Sequence, residues 1–535
     1  MGALREQLIR LEKDASQKFC SKLASENPDP EKVPTTNEKR VRDKTGLSLL
    51  KHVSSKPTAR VTVRELCTRA ADALQCYSPC FLMTPSSVAD YLPKDLTFDL
   101  LIIDEASQML TEEAIGSILR CKQIVVVGDQ KQMPPTKYMQ STLHEVAEDE
   151  EKNESILDKA ALAFGQFSRL NYHYRSADET LIHFSNHEFY DNDLLTPPSH
   201  GGDENLGLRF VDAAGIYQSG KGINSNSRNP NPIEADKLVE LIIEEIEQRP
   251  DFSLGIAVMN LRQAERVDEL FQKKIDKKIK NYLNRWKETP EYFFIKNLEN
   301  VQGDERDTMI IATVYGRTED GKTYQRFGPI NFDKGENRIN VLVTRAKKRV
   351  VVCSSLDPQD ITNKSQGAQV FKRYLSYAKS GEIENSASKE LAPEQKMNCS
   401  TGWENWLADR LRNDGFDVDL SVGRSAWKID LAIKHPSKKN SYFCGIELDG
   451  KTKLRRSARD REILSQSVLE AKGWKILRIH TIDFFLDPES EYNDLKKKVS
   501  KILADLDSKI EKPEDKEKET KFVDSTVSRS SIISF

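Results

Sequence analysis

Short apolar runs that end in polar residues are the feature that most constrains the fold of this chain of 535 residues. Helix-length segments separate these runs, which is typical of parallel strands that are buried on both faces. The sequence therefore predicts an α/β protein with two parallel-sheet domains. The runs are CFLMTP (80–85), FDLLIIDEAS (98–107), QIVVVGDQ (123–130), LRFVDA (208–213), SLGIAVM (253–259), TMIIATVYG (308–316) and RVVVCSS (349–355).

The pattern changes at several points, and these points predict the domain boundaries. A charged helical segment precedes the first parallel-sheet domain, and a polar linker without periodicity follows the second. The C-terminal part reads as a compact α/β unit with a charged tail, for which we expect disorder. The predicted segments are 1–75 (helical and charged), 76–160 (partial first domain), 161–380 (second domain), 381–398 (linker), 399–500 (C-terminal unit) and 501–535 (tail).

Composition excludes several classes of protein. No stretch approaches the roughly 18–20 apolar residues of a membrane span, so no membrane partner is expected. The charged start MGALREQLIRLEK lacks the apolar core of a signal peptide, and the eight cysteines form no C-x-x-C pair. These features predict a cytoplasmic protein with reduced thiols. The net charge of −3 means that any contact with nucleic acid must be local.

Two adjacent carboxylates end the run at 98–107. Asp104 can hold Mg²⁺ at the C-terminal end of a parallel strand, and Glu105 can orient or deprotonate an attacking water. The alternative is that the Asp-Glu pair merely caps a following helix. Taken alone, the pair does not decide between the two.

Further polar blocks follow other predicted strands. VVVGDQKQMPP (125–135) places Asp129 and Gln132 where they can sense phosphate or metal. Arg175 and Arg345 can stabilise charge on a transferred phosphoryl group. VQGDERD (301–307) adds three more candidates: Gln302, Gly303 and Glu305. Each block alone is also explained by a surface turn, an ion pair or a helix cap, but that explanation is poor for all of them in this order.

The order DEASQ, GDQKQMPP, HYRS, VQGDERD, TRAKKR resembles motifs II to VI of superfamily 1 helicases. It is most similar to the DExxQ group that includes the nonsense-decay and Okazaki-processing helicases, and CFLMTPSSVADYL (80–92) resembles a block of large bacterial helicases linked to phage defence. The resemblance covers about 75–375 and implies RecA-like domains that use ATP. The roles it implies are Asp104 on Mg²⁺, Glu105 as base, Gln108, Asp129 and Gln132 in coupling, Arg175 and Arg345 as fingers, and Gln302 and Glu305 in nucleotide and strand contacts.

Helicases of this kind use a glycine-rich phosphate loop upstream of motif II, and residues 1–103 contain none. Gly316-Arg-Thr-Glu-Asp-Gly-Lys-Thr323 matches the pattern literally. However, its two acids would repel phosphate, and Gly328 and Pro329 follow where a helix is needed. We interpret the match as an Asp-Gly turn. A second polypeptide that supplies the missing half, a truncated gene and an inactive scaffold all remain open explanations.

The C-terminal unit predicts a helix followed by a β-hairpin. Trp403, Leu407 and Leu411 form one face of the helix, and KIDLAIK (428–434) and YFCGIELDG (442–450) are the strands. Strand alternation brings three acids into one cluster, which suits Mg²⁺-assisted phosphodiester cleavage. The acids are Asp430, Glu447 and Asp449. The alternative is a hairpin with solvated acids on its polar face.

The basic run KTKLRRSARDR (451–461) follows these acids. It can neutralise DNA phosphates near a metal ion, or it can be a solvated start of a helix. The basic segment QKKIDKKIKNYLNRWK (272–287) is open in the same way, because Tyr282 and Trp286 either stack on a strand or anchor an exposed helix.

The C-terminal arrangement resembles the PD-(D/E)xK nucleases, specifically the Vsr-like endonuclease group, over about 400–487. The motifs that carry the resemblance are IELDG, SARDR and GWKILRIH. The resemblance implies Asp430 and Glu447 as metal ligands, with Glu404 as an accessory, although Glu404 also fits a capping box with Thr401. The usual lysine position holds Asp449, and the histidine common after Asp-Gly is replaced by KTKLRR, in which Lys451 or Lys453 is an electrostatic substitute.

The sequence as a whole predicts a DNA-processing protein that joins a superfamily 1 helicase module to a Mg²⁺-dependent endonuclease, plausible in phage defence or DNA repair. Two alternatives stay open. One is an ATP-independent nuclease on a degenerate helicase scaffold. The other is a non-enzymatic nucleic-acid-binding subunit that a partner with the phosphate loop completes.

Overall fold

The computed structural model describes most of the chain in ten stretches. They are residues 2–26, 29–56, 60–135, 154–165, 167–218, 231–383, 402–438, 441–448, 465–510 and 533–534. The chain forms two units, Met1–Ser168 with Asp515–Phe535, and Arg169–Glu514. Parallel sheets occur in both units and a mixed sheet lies near the C-terminus, which confirms the predicted α/β class.

The first unit consists of short helices around a small parallel sheet. Capping residues define several helices; for example, Thr62 forms a capping box with Glu65 at the start of α3. The elements in chain order are α1 (Gly2–Glu26), α2 (Gly46–Ser54), α3 (Val63–Arg69), α4 (Ala71–Tyr77), β1 (Phe81–Leu82), α5 (Pro85–Tyr91), β2 (Phe98–Ile103), α6 (Thr111–Ile118), β3 (Cys121–Val126) and α7 (Ile156–Phe164).

Strands β2 and β3 pair in parallel, with Ile103 opposite Val126. The prediction that these strands are buried on both faces is wrong. Ile102 is 61% exposed and Val125 is 45% exposed, whereas Ile103 on the other face is 4% exposed. The reason is that this sheet has two strands among the described residues, and its inner face alone packs against α6 and α7.

The second unit begins with a five-stranded parallel sheet in the order β4-β8-β7-β5-β6. All four runs predicted as strands in this region are confirmed, and every residue of the central strand β7 is buried. Its elements are α8 (Thr180–Phe189), β4 (Gly207–Asp212), α9 (Pro232–Gln248), β5 (Leu254–Val258), α10 (Leu261–Gln272), α11 (Lys277–Trp286), β6 (Phe294–Asn297), β7 (Arg306–Gly316), α12 (Gly335–Val343), β8 (Ala346–Ser355) and α13 (Gln366–Ser380).

Helices cover both faces of this sheet and form two apolar cores. Helix α9 starts with Asn231 as its cap and Pro232 at its first position. Its Glu234 is fully buried and accepts hydrogen bonds from Val314 N (2.6 Å) and Ser355 Oγ (2.6 Å). Burial raises the pKa of Glu234 from 4.5 to about 7. This carboxyl group therefore ties α9 to the ends of β7 and β8.

The basic segment at 272–287 is the helix α11 over most of its length. Tyr282 is 5% exposed and its hydroxyl donates to Phe252 O at 2.8 Å, while Trp286 is partly buried against the same core. Both aromatic rings therefore anchor the helix. The alternative that they stack on a nucleic-acid strand is wrong for Tyr282, because its ring lies in the core.

The C-terminal part of this unit has a four-stranded mixed sheet in the order β12-β11-β10-β9. The predicted hairpin is confirmed as the antiparallel pair of β10 and β11, and β12 lies parallel to β11. The elements are α14 (Gly402–Asn413), β9 (Val418–Val422), β10 (Ile429–Lys434), β11 (Tyr442–Leu448), α15 (Ser465–Ala471), β12 (Ile476–Ile479), α16 (Thr481–Leu486) and α17 (Pro488–Ile510); β13 (Ile533–Ser534) belongs to the first unit.

Two features of the C-terminal part differ from the prediction. Helix α17 continues to Ile510, beyond the boundary expected at residue 500, because Tyr492, Leu495 and Val499 pack into the core of the mixed sheet. Strand β13 in the predicted disordered tail pairs with β1, with Ile533 opposite Phe81. The rest of the tail, 511–532 and 535, lies outside the described residues, as does the predicted linker except for its first residues, 381–383.

All seven cysteines in the described stretches are free. Within those same stretches, no helix is long and apolar enough to cross a membrane.

Candidate functional site

The predicted Asp104 and Glu105 lie directly after β2 and are both exposed. Glu105 has a left-handed backbone with φ 52°, which is uncommon for a residue other than glycine and typical of functional turns. Its carboxylate accepts a hydrogen bond from Gln108 Nε2 at 2.9 Å and makes no capping bond to the next turn. The capping alternative is therefore not supported for Glu105.

The block after β3 joins this turn from the neighbouring strand. Asp129 accepts hydrogen bonds from Lys131 N (2.8 Å) and Gln132 Nε2 (3.2 Å), so the two predicted residues are brought together. A Cβ at Gly128 would lie 3.0 Å from Ser107 N, which explains why a glycine stands there. The structure thus places the predicted residues of the first unit at adjacent strand ends.

In the second unit the structure pairs two predicted residues that are distant in sequence. The Arg175 guanidinium lies 3.0 Å from the Glu305 carboxylate, with 45% and 28% of their side chains exposed. Next to Glu305, Gly303 has φ 86° and open space around it. Gln302 has a buried side-chain nitrogen with no hydrogen-bond partner among the described residues.

Arg345 lies elsewhere in this domain and is 5% exposed. Its Nε donates to Val341 O at 2.8 Å and its Nη2 to Thr344 Oγ1 at 3.3 Å, so its guanidinium contacts the C-terminal end of α12. The role of Arg345 as a finger stays a prediction.

The segment that carries Arg175 also contacts the C-terminal region. Lys472 Nζ donates to Ser176 O and, at 3.3 Å, to Ala177 O. His173 hydrogen-bonds to Ser176 Oγ at 2.8 Å, and burial lowers the pKa of His173 to about 4, with the charges of Arg175 and Lys472 adding to the effect. A lysine of the mixed-sheet region thus holds the backbone that follows the predicted finger.

Further contacts fix this region on the segment at 195–202. Trp474 Nε1 donates to Pro198 O at 2.8 Å, and Ser425 Oγ donates to Thr196 O at 2.9 Å. Glu179 accepts from Arg424 N at 2.7 Å, and burial raises the pKa of Glu179 to about 7. These groups are far apart in sequence, and the prediction from sequence did not include their contact.

The literal phosphate-loop match at 316–323 is a turn. Thr318 N donates to Lys322 O (2.9 Å) and Gly321 N to Thr318 O (2.8 Å), and Gly321 has φ 75°. Arg317 and Thr323 form an antiparallel bridge across it. No helix begins at this turn, which confirms the interpretation of the segment as an Asp-Gly turn.

The mixed sheet brings two predicted acids together. Leu431 pairs with Ile446, so one position further along the same register Asp430 faces Glu447. Asp430 Oδ2 accepts a hydrogen bond from Leu448 N at 2.7 Å. Leu431 and Ile433 are buried on the opposite face, as predicted. Asp430 and Glu447 are therefore neighbours across two central strands.

Sequence analysis missed the partner of Glu447. Arg478 lies opposite Glu447 in the parallel pair of β11 and β12, and its Nη2 lies 2.8 Å from Glu447 Oε2. The two side chains are 10% and 3% exposed, so this ion pair is nearly buried. The available signal was the arginine in GWKILRIH, which lies between the apolar residues Leu477 and Ile479 of β12.

The other predicted residues of this site are less defined. Glu404 lies in the first turn of α14, whereas its proposed capping partner Thr401 is outside the described residues. Asp449, Lys451 and Lys453 also lie outside them. The predicted cluster of three acids is therefore present as a pair in the described stretches.

The donor atoms of these sites suit a hard divalent cation, because Mg²⁺ prefers carboxylate oxygens. Asp104 is an exposed carboxylate at a strand end, and Asp430 and Glu447 face each other across two strands. Among the residues that the structure describes, no group of three or more His, Cys, Asp or Glu side chains is placed to hold a metal ion. Mg²⁺ can be bound through two carboxylates with water in its other positions, and Asp430 and Glu447 would be these carboxylates.

Three regions of the chain match known families. Residues 9–140 and 152–357 each match a family described as an AAA domain, and residues 403–499 match the family REase_MTES_1575. The chain thus carries regions similar to helicase-type AAA domains, followed by a restriction-endonuclease-like region. The match at 9–140 begins inside the segment 1–75, which the sequence pattern predicted to be a charged helical segment before the first parallel-sheet domain.

Several curated proteins are similar to parts of the chain. An uncharacterized ATP-dependent helicase of Mycoplasma genitalium is 32% identical over 56% of this chain and 27% of its own length. A second such helicase, from Methanocaldococcus jannaschii, is 25% identical over 56% of this chain and 42% of its own length. The DNA-binding protein SMUBP-2 of Rattus norvegicus is 25% identical over 49% of this chain and 25% of its own length.

The chain therefore spans less than half of the length of the ATP-dependent helicases that it matches, between 27% and 42%. Among solved structures, the C-terminal domain of a possible DNA helicase from Lactobacillus plantarum matches 37% of this chain and 92% of that domain, with 15% identity and a TM-score of 0.21.

Proposed function

We propose that this chain acts in DNA processing by combining a superfamily 1 helicase module with a Mg²⁺-dependent endonuclease of the Vsr-like type. The observation that carries the proposal is the facing pair Asp430 and Glu447 on the central strands of the sheet that matches a restriction-endonuclease-like family. The names of the relatives, ATP-dependent helicases and a DNA-binding protein, support ATP as cofactor and DNA as substrate.

In the nuclease region, Asp430 and Glu447 would hold the metal ion. When bound, Mg²⁺ supplies an activated water and stabilises the charge of the phosphodiester transition state. Asp430 is fixed by the backbone N–H of Leu448, which orients its carboxylate between the strands. Glu404, Asp449, Lys451 and Lys453 remain proposed accessories of this site.

In the helicase module, Asp104 would hold the Mg²⁺ of the nucleotide and Glu105 would accept the proton of the attacking water. Gln108 orients Glu105 through the hydrogen bond of 2.9 Å. Asp129 and Gln132 would sense the nucleotide from the adjacent strand end. In the second domain, the proposed roles are Arg175 and Arg345 in stabilising charge, and Gln302, Gly303 and Glu305 in nucleotide and strand contacts.

The nuclease proposal is tested with the purified chain, Mg²⁺ and linear, plasmid and single-stranded DNA. We expect cleavage by the wild type and a loss of at least about a hundredfold in rate for Glu447→Ala and Asp430→Asn, because each variant removes a proposed metal ligand. Glu489→Ala is the matched control, since Glu489 is a surface partner of Arg410 in the same region. Equal cleavage by Glu447→Ala and the wild type would refute the assignment.

A second candidate function is that of a subunit completed by a polypeptide that carries the phosphate loop. The exposed apolar face of β2 and β3 favours this candidate, because parallel sheets in proteins are normally covered on both faces. On this face Leu100, Ile102 and Val125 are 46%, 61% and 45% exposed. ATP hydrolysis that appears only after such a polypeptide is added supports this candidate. Hydrolysis by the chain alone contradicts it.

If no ATP is hydrolysed under either condition while DNA is still cut, the third possibility holds, an ATP-independent nuclease on a helicase scaffold. We propose the cytoplasm as the location, where both ATP and DNA are available in a bacterium, and phage defence or DNA repair as the context. A plaque assay on cells with wild type or Glu447→Ala separates these two contexts, because repair alone leaves the phage titre unchanged.

A further inference from the structure

Both charges of the pair of Glu447 and Arg478 are almost removed from water, as are those of Glu245 with Arg249 and Arg349 in the second parallel-sheet domain. Glu447 is opposite Arg478 in the register of β11 and β12, and their side chains are 3% and 10% exposed. A buried carboxylate and a buried guanidinium each require an opposite charge or strong hydrogen bonds, and in this pair each group supplies them to the other. Among the pairs in this region that the structure describes, Arg478 with Glu447 is much less exposed than Arg410 with Glu489, at 31% and 65%.

The location of this pair connects it to the proposed nuclease site. Glu447 faces Asp430 on one side, in β10, and Arg478 on the other side, in β12. Strand β11 is buried along its whole length except for its first residue, so the position of Glu447 is fixed by the sheet itself. The three side chains therefore occupy corresponding positions on three adjacent strands.

We propose that Arg478 is a positioning residue of the nuclease site that orients the carboxylate of Glu447 to bind a divalent cation. The inference rests on the proposed nuclease function and extends it by a residue on a different strand. A guanidinium remains protonated at any working pH and donates in a fixed plane, so Arg478 orients the carboxylate and balances its charge. It does not take a proton from the attacking water.

Two substitutions of Arg478 separate the effects of its charge, its planar set of donors and its volume. Lysine retains the positive charge but not the planar set of donors, whereas methionine retains the volume without charge. If the planar set of donors orients Glu447, Arg478→Lys loses part of the metal affinity although it retains the charge. If only packing is needed, Arg478→Met behaves like the wild type.

The experiment measures Mn²⁺ binding to the full chain by isothermal titration calorimetry, together with kcat and KM for DNA cleavage. The variants are Arg478→Met, Arg478→Lys, Glu447→Gln and the control Arg410→Met. We expect Arg478→Met to weaken Mn²⁺ binding and to lower kcat by about 10–100-fold each, as for other residues that orient a metal ligand, with KM little changed. Arg478→Lys should lie between this variant and the wild type, and Arg410→Met should match the wild type.

Circular dichroism of each variant controls for folding. If Arg478→Met does not fold, Arg478→Lys decides, because it retains the charge; the double variant Glu447→Gln/Arg478→Met, which removes both charges, should then fold without binding Mn²⁺ at this site. Mn²⁺ binding and kcat of Arg478→Met or Arg478→Lys equal to those of the wild type would overturn the role of Arg478 while the nuclease function stands. A wild-type chain that neither binds Mn²⁺ nor cuts DNA would overturn the proposed function, and this inference with it.

Discussion

The Arg175 guanidinium lies 3.0 Å from the Glu305 carboxylate, although 130 positions separate the two residues in the chain. The segments around them were predicted separately, as a candidate finger and as a candidate nucleotide contact. The ion pair joins them directly before strand β7, which begins at Arg306. Glu305 therefore restrains the arginine in the structure described.

This pair should contribute little to stability, because both side chains are partly exposed. In a double-mutant cycle with Arg175→Ala and Glu305→Ala, we expect a coupling energy of about 0.2–1 kcal/mol. The measurement is urea unfolding of the wild type, both single variants and the double variant at low and high salt. A coupling above about 2 kcal/mol that salt does not reduce would contradict a screened surface pair.

We predict that the fold requires glycine at position 128, where the turn after β3 meets the turn after β2. A Cβ there would lie 3.0 Å from Ser107 N and 3.1 Å from Ala106 N, and these backbone atoms cannot easily move. Gly128→Ala should lower the free energy of unfolding by about 1–3 kcal/mol. The control is Gly116→Ala in α6, where the nearest atom is 3.9 Å away and a gain of about 0.5–1 kcal/mol is expected. Thermal unfolding distinguishes the two, and equal effects would contradict the steric explanation.

Trp474 is predicted to stabilise the contact between the mixed sheet and the segment at 195–202. Trp474→Phe removes the donor to Pro198 O, whose carbonyl would remain buried without it, at a cost of about 1–3 kcal/mol. Trp406→Phe is the matched control, because Trp406 is 38% exposed. Urea unfolding and hydrogen exchange of the segment at 195–202 report the effect. Unchanged exchange in Trp474→Phe would show that the hydrogen bond does not hold this contact.

The pH dependence of stability should include a contribution from Glu234. Burial raises its pKa from 4.5 to about 7 in the folded protein, so the folded state binds the proton more tightly than the unfolded state. The resulting stabilisation is complete below pH 4.5 and is lost as the pH rises to about 7, a change of about 3 kcal/mol. Glu234→Gln should remove this part of the pH dependence. The measurement is urea unfolding of both proteins between pH 4.5 and 8, and parallel curves would contradict the prediction.

Four of the five strands of the second sheet could be predicted because their apolar runs are long, whereas β6 was missed because its four residues include Lys296 and Asn297. The expectation of burial on both faces was wrong for β2 and β3, where apolar residues such as Ile102 remain exposed. Strand β9 was missed because its five residues include Asp419 and Ser421, which weaken the apolar signal. The end of α17 was missed since its last turns are rich in charge.

Within the candidate sites, residues close in sequence could be assigned to one site, such as Glu105 and Gln108, which the structure joins by a hydrogen bond. The pairing of Arg478 with Glu447 could not be predicted, because it depends on the register of two parallel strands joined by a long connection. The contact of Lys472 with Ser176 could not be predicted either, because no local pattern encodes which surfaces of two domains meet.

The mixed sheet is held against the domain of the second parallel sheet by hydrogen bonds to the segments around Arg175 and Pro198. The donors are Trp474, Ser425 and Lys472. Under the proposed function, the nuclease site would therefore keep a constant distance from the point at which the helicase domain holds DNA. The length of DNA between that point and the cut would then be set by the geometry of the protein and would not depend on the DNA sequence.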